Sequence, residues 1–176
     1  MKIASLAMAL GFVGFCLPAH ADLIGSTVDV RNYYPNLATL QADAGSTIVS
    51  AALEYPSFVS FAMDITGTQI LIEWAGPGNL AFTGAAFNGF EFLFTGVTIT
   101  GATVDGSSTF LGSPAISIAG NNIFLNYSGV NTGNGPTTSI IDVTTSASSS
   151  VPEPSTLALL GTALLGLGFH YRRRSA

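Results

Sequence analysis

FVSFAMDITGTQILIEW, residues 58–74, contains two short runs in which apolar and polar side chains alternate around a Thr-Gly turn. The apolar members are Val59, Phe61, Met63 and Ile65 before the turn and Ile70, Ile72 and Trp74 after it. Because successive side chains of a strand point to opposite faces, this pattern predicts a β-hairpin with one buried face.

The same alternation recurs through the middle of the chain. Further apolar stripes are Val49, Ala51, Leu53 and Tyr55; Phe90, Phe92 and Phe94; Ile123, Leu125 and Tyr127; and Ile141 and Val143. Gly- and Asn-rich turn signals separate these runs. No segment of the domain shows sustained helical periodicity, and YYPNLATLQADAG (33–45) could hold one turn of helix at most.

These patterns predict an all-β fold, an antiparallel β-sandwich of jelly-roll-like type with about eight or nine short strands. A β-solenoid is the alternative, because TGVTITGATVDG (95–106) looks repetitive. No fixed period extends over three units, which favours the sandwich. We place this domain at residues 22–144.

The first 21 residues have the order of a secretory signal peptide: Lys2, an apolar stretch from Ile3 to Leu17, Pro18, and then Ala19-His20-Ala21. Small side chains at Ala19 and Ala21 suit recognition by a signal peptidase. We therefore expect Sec-type export and a mature chain starting at Asp22. Cys16 is the only cysteine and leaves with the signal, so the mature chain has no disulfide. An uncleaved membrane anchor is the alternative.

The other end combines a Ser/Thr-rich linker, residues 145–150, with a sorting-type tail, residues 151–176. In the tail, Val151-Pro152-Glu153-Pro154 precedes an uncharged run and then Arg172, Arg173 and Arg174. The run, residues 156–171, spans about 24 Å as a helix, and snorkelling arginines can make up the difference from a bilayer core of about 30 Å. We expect a single transmembrane helix with its arginines on the cytoplasmic side; a C-terminal core helix is the alternative.

The order of triplet, apolar span and arginine cluster resembles the PEP-CTERM protein-sorting tail of Gram-negative bacteria, also catalogued as an ice-binding-protein C-terminal motif. The resemblance covers about the last 26 residues and implies that Pro152, Glu153 and Pro154 are recognised by an exosortase. It further implies cleavage near this triplet, release or transfer to the cell exterior, and an association with exopolysaccharide or biofilm. The sorting tail does not indicate what the exported domain binds, and therefore does not indicate that it binds ice.

Composition argues against catalysis. The predicted mature domain lacks Cys, Lys and His, which removes Ser-His-Asp and Cys-His arrangements and metal sites built on imidazole or thiolate. A glycosidase could still work with two carboxylates about 5–10 Å apart. Alternation sends most strand acids to the face opposite the apolar stripe, where we expect a solvated surface: Glu54, Asp64, Glu73, Glu91 and Asp142.

The charge of the domain limits its partners. Nine acids and a single base, Arg31, leave a net charge of about −8, which argues against nucleic acid and anionic lipid. No cofactor is expected. Calcium is conceivable, although Asp105-Gly106 is a lone Asp-Gly turn. Tyr33, Tyr34 and Trp74 could stack on sugar rings, but core or edge positions are the more common role of such residues, and Trp74 continues the stripe of Ile70 and Ile72.

The leading hypothesis is a non-enzymatic exported protein, anchored transiently in the inner membrane and then placed at the cell surface or in the matrix. There it would be a structural or adhesive component associated with exopolysaccharide. The alternative is a carbohydrate- or calcium-binding β-sandwich module, and the third is a carboxylate-only glycosidase.

Overall fold

The computed structural model describes residues 22–146, which form two antiparallel five-stranded sheets and contain no helix. The strands are β1 (Thr27–Tyr33), β2 (Leu40–Ile48), β3 (Tyr55–Phe58), β4 (Phe61–Ile65), β5 (Gln69–Trp74), β6 (Gly89–Thr95), β7 (Thr98–Val104), β8 (Ala115–Ala119), β9 (Asn122–Asn126) and β10 (Thr137–Ser146). Within this range no helix is long and apolar enough to cross a membrane.

The strand order confirms the all-β prediction, and the strands form two antiparallel sheets. Sheet A has the order β2-β1-β6-β9-β8 and sheet B the order β3-β4-β5-β10-β7. Four of the nine connections between the described strands, β1–β2, β3–β4, β4–β5 and β8–β9, remain within one sheet, and the other five cross between the sheets. The loops within a sheet range from two residues at β3–β4 and β8–β9 to six residues at β1–β2.

The apolar stripes supply the core between the sheets. Phe90, Phe92 and Phe94 of β6 in sheet A and Ile70 and Ile72 of β5 in sheet B all belong to this core, each at most 1% exposed. The 58–74 hairpin is confirmed, with Met63 paired to Ile72 and Ile65 to Ile70. Alternation therefore identified the inner face of the central strands.

Three local predictions were wrong. Ala51 and Leu53 are exposed because residues 49–54 form a loop, in which Glu54 accepts a hydrogen bond from the Ser50 amide at 2.8 Å. Val59 is 40% exposed because it lies in the β3–β4 turn and not in a strand. Residues 40–48 form the edge strand β2 where a helical turn was allowed, since an edge strand does not need a continuous apolar stripe.

Aromatic packing closes one end of the sandwich. Phe61 stacks on Phe82 at 5.6 Å between ring centroids, and Phe82 stacks on Tyr127 at 4.9 Å. Trp74 is half-buried, with its ring 5.7 Å from Phe61 and its indole N–H donated to the Gly78 carbonyl. β10 runs to Ser146, so the sheet extends past the boundary placed at Thr144.

Candidate functional site

The outer face of sheet A carries a polar cluster centred on Arg31. One guanidinium nitrogen lies 2.5 Å from Oδ2 of Asp29, Nε lies 3.4 Å from Oδ2 of Asp43, and the remaining nitrogen lies 3.9 Å from Oε2 of Glu91. Glu91 also accepts hydrogen bonds from the Tyr33 hydroxyl and the Asn122 amide, at 3.0 and 2.7 Å. The cluster joins strands β1, β2, β6 and β9.

This cluster forms because alternate side chains of β1 point to the same face and because β1 pairs in register with β6. Asp29, Arg31 and Tyr33 alternate with buried Val28 and Val30, and Arg31 pairs with Glu91. The sequence analysis missed the cluster, although the Asp-x-Arg-x-Tyr spacing within one strand was a usable signal. Glu91 lies 60 residues after Arg31 in the sequence, and only the pairing of β1 with β6 brings the two side chains together.

The acids of this cluster are more buried than the solvated outer face that the sequence predicted. Asp29 and Glu91 are only 9% and 6% exposed. Burial raises the pKa of Asp29, and the nearby Asp43 carboxylate raises it further, while Arg31 opposes both. Oδ1 of Asp29 has no hydrogen-bond partner among the described residues. Because Arg31 is engaged by three carboxylates, the cluster is suited to stabilising sheet A and poorly suited to binding an external anion.

The acids offer no calcium site in the described range. Among residues 22–146, no group of three or more potential metal ligands is arranged to hold an ion. Asp105, at the Asp-Gly turn, is engaged by its own loop: its Oδ1 accepts hydrogen bonds from the amide and the hydroxyl of Ser107. These bonds lower the pKa of Asp105.

Two carboxylates share a shallow groove on the outer face of sheet B. Asp64 and Glu73, from neighbouring strands β4 and β5, line a groove of about 140 Å³ together with Leu53, Leu71 and Thr138. Burial and the adjacent Glu54 raise the pKa of Asp64. The other side chains that line the groove are aliphatic or small. The groove therefore contains two carboxylates but no aromatic ring on which a sugar could stack.

A second cleft opens at the end of the sandwich where β1 ends, beside the β3–β4 turn. It has a volume of about 200 Å³, and its lining includes Asn32, Asn88, Thr83 and Val59 above the rings of Phe61 and Phe82. The Asn32 and Asn88 amide nitrogens donate to the carbonyls of Gly89 and Thr83. Side-chain amides and apolar walls therefore line the same cleft.

The three residues predicted as candidates for sugar stacking lie in different environments. Tyr33 is half-buried and held edge-on against Phe87 at 6.4 Å, with its hydroxyl bound to Glu91. Tyr34 is 37% exposed in the β1–β2 loop. Trp74 belongs to the aromatic packing around Phe61. None of these three side chains lines the end cleft.

Comparison with known proteins concerns the tail. Residues 150–174 match the family model of the PEP-CTERM protein-sorting motif. The protein carries a PEP-CTERM sorting motif. This motif marks an exported protein sorted by an exosortase to the cell surface or exterior. No curated protein and no solved structure is significantly similar to the chain.

The residues of the PEP-CTERM motif lie outside the described range. Pro152, Glu153, Pro154, Arg172, Arg173 and Arg174 all fall within the matched segment. The predicted signal-peptidase residues, Ala19 and Ala21, also lie outside the described residues, as does the predicted transmembrane helix at 156–171.

Proposed function

We propose that the protein is a non-enzymatic structural or adhesive component of an exopolysaccharide matrix, delivered there by its PEP-CTERM motif. The supporting observation is the motif at residues 150–174, attached to a sandwich whose most buried charges are paired with one another. Charged side chains that are engaged in holding the strands of sheet A together are not available for chemistry. An acidic surface with a net charge near −8 also suits neutral glycans or anionic glycans bridged by cations.

The delivery route is part of the same proposal. A signal peptide cleaved after Ala21 would start export, and the 156–171 segment would halt in the inner membrane with its arginines inside. Exosortase cleavage near Pro152-Glu153-Pro154 would then free the domain. Paired prolines support this role, because they keep the peptide extended and unavailable for regular hydrogen bonding.

Replacing all three residues Pro152, Glu153 and Pro154 with Ala in the native host tests the route. We expect the wild-type domain outside the cell without its tail, and the variant retained in the inner membrane with its tail, as measured by fractionation and intact mass. The matched control replaces Ser148 and Ser149 with Ala. Normal release of the triple variant would contradict the sorting proposal.

The matrix role needs a separate readout. In a host lacking the protein, we expect less polysaccharide-bound biomass, restored by the wild-type gene and not by the triple variant. Co-extraction of the domain with polysaccharide is also expected. Unchanged biomass, with the released domain entirely in the polysaccharide-free fraction, would contradict the matrix role while leaving the sorting route intact.

A carbohydrate-binding module is the second candidate, and the end cleft favours it. Amide groups of Asn32 and Asn88 beside apolar walls suit a sugar ring, which presents both hydroxyl groups and an apolar face. Selective binding on a glycan array would support this candidate, and Thr83→Trp should block it by filling the cleft. Asn134→Trp, at an exposed position in another loop, is the control. Binding unaffected by Thr83→Trp would rule out the cleft.

A further inference from the structure

The four edge strands of the sandwich are not equally protected against pairing with another chain. β2 carries Asp43 and two register irregularities, β3 contains Pro56 and a register shift, and β7 has an irregular pairing with β10. Such features disfavour pairing with a foreign strand. β8 has none of them: it pairs with β9 in continuous register from Ala115 to Ala119 and contains no charge and no proline.

The surroundings of β8 are also uncharged. No Asp, Glu, Lys, Arg or His occurs between Asp105 and Asp142, a segment that includes both β8 and β9. The remainder of the domain is strongly acidic, so two copies repel each other over most other surfaces. The β8 edge is therefore where two copies can approach without opposing like charges directly.

Hairpin geometry shows which backbone groups β8 presents outward. A two-residue loop, Gly120-Asn121, joins β8 to β9, with Gly120 at φ 62°. In such a hairpin the flanking residues, Ala119 and Asn122, form a hydrogen-bonded pair, and hydrogen-bonded and non-bonded pairs then alternate. Ile116 and Ile118 accordingly direct their N–H and C=O groups away from β9, and no described residue binds these groups.

The side chains at this edge are incompletely covered. Ile118 lies opposite Ile123, which is fully buried, so Ile118 belongs to the core-facing side of sheet A. It is nevertheless 39% exposed, because the sandwich is open at β8. Another strand beside β8 would cover the Ile118 side chain and satisfy the outward backbone groups in a single step.

We propose that β8 pairs antiparallel with β8 of a second copy of this chain. The strand reads Ala-Ile-Ser-Ile-Ala, the same in both directions. A two-fold axis at Ser117 sets Ile116 opposite the partner's Ile118 as a hydrogen-bonded pair, and Ile118 opposite the partner's Ile116. The contact is isologous, and it joins the two copies of sheet A into one continuous sheet.

Cross-linking tests this register directly. Ser117 pairs with its own copy at a non-hydrogen-bonded position, where Cα atoms lie about 4.5 Å apart, within the range of a disulfide. In full-length protein carrying Cys16→Ala, we expect Ser117→Cys to give a disulfide-linked dimer under mild oxidation. Ser46→Cys, exposed on edge strand β2, should remain monomeric. Equal cross-linking of both variants, or of neither, would overturn the proposal, as would cross-linking of the introduced thiol to a different protein only.

An edge charge gives an independent test. Ile118→Lys should raise the dimer dissociation constant at least about tenfold in sedimentation equilibrium, because it sets two ammonium groups near the axis. Ile48→Lys introduces the same change on β2, where Ile48 is 64% exposed, and should leave the constant unchanged. Circular dichroism confirms that both variants are folded. A monomeric wild type, or equal effects of the two lysines, would overturn the proposal without bearing on sorting.

Discussion

The Tyr127 hydroxyl donates a hydrogen bond of 2.8 Å to Oγ of Ser139, and this buried bond connects the two sheets. Tyr127 follows β9 of sheet A, Ser139 lies in β10 of sheet B, and both are fully buried. Burial raises the pKa of Tyr127, so its hydroxyl stays protonated. The sheets are thus held in register by a polar contact as well as by apolar packing.

Removing either hydroxyl leaves its partner buried without a hydrogen bond. We expect Tyr127→Phe and Ser139→Ala each to lower the free energy of unfolding by about 1–2 kcal/mol. The double variant should lose less stability than the sum of the two single losses, which corresponds to a coupling energy of about 1 kcal/mol. Urea denaturation of the four proteins measures this cycle. Strict additivity would show that the two hydroxyls do not interact.

Arg31 neutralises acids that are otherwise buried without a counter-charge. We expect Arg31→Met to lower the free energy of unfolding at pH 7 by about 2–4 kcal/mol, less than for a fully buried pair because Arg31 is about one-third exposed. Arg31→Lys, which keeps the charge, should lose clearly less. Denaturant titration at pH 7 provides the comparison, and a Met variant as stable as wild type would contradict a structural role for the cluster.

Asp64 is destabilising when ionised. Its pKa is raised in the folded state by burial and by Glu54, so the folded protein binds more protons than the unfolded chain between the two pKa values. Stability contributed by this group is therefore lost as pH rises through that window. We expect Asp64→Asn to be more stable than wild type at pH 7 by about 0.5 kcal/mol, with the difference vanishing below the ordinary pKa of Asp. Thermal unfolding at several pH values checks the sign.

The β3–β4 turn stores backbone strain. Val59 and Ser60 have φ angles of 44° and 78°, the left-handed region that a type I′ turn requires and that β-branched Val rarely adopts. Val59→Asn with Ser60→Gly should raise the free energy of unfolding by about 1–2 kcal/mol. Ser57→Gly, in strand β3, is the control and should be slightly destabilising. A loss of stability in the double variant would contradict the strain.

Gly89 is required by close backbone approach. A Cβ at this position would lie 1.9 Å from the Leu125 carbonyl oxygen of β9, and a main-chain atom cannot move aside without breaking the β6–β9 pairing. We expect Gly89→Ala to cost at least about 3 kcal/mol or to prevent folding. Gly106→Ala, where nothing lies within 4 Å, should change stability by less than about 0.5 kcal/mol. Equal stability of the two variants would refute the steric argument.

Alternation predicted the central strands because their inner faces are fully buried and need apolar side chains at every second position. Alternation failed at Ala51 and Leu53, because these apolar residues lie in a loop. It also failed at β2, because this edge strand is formed by pairing with β1 and few of its side chains are buried. The Arg31 cluster escaped prediction for a related reason. Its acids come from three strands, and only the hydrogen-bonded register brings Asp43 and Glu91 to Arg31.

Sequence alone determined the all-β class, the inner face of the central strands, and the sorting motif at residues 150–174, since each of these depends on residues close together along the chain. Tertiary structure decided the strand order, the burial of Asp29 and Glu91 beside Arg31, the bond between Tyr127 and Ser139, and the open edge at β8. These features depend on which distant strands become neighbours, and strand pairing is selected by the packing energy of the whole sandwich, which no local pattern contains.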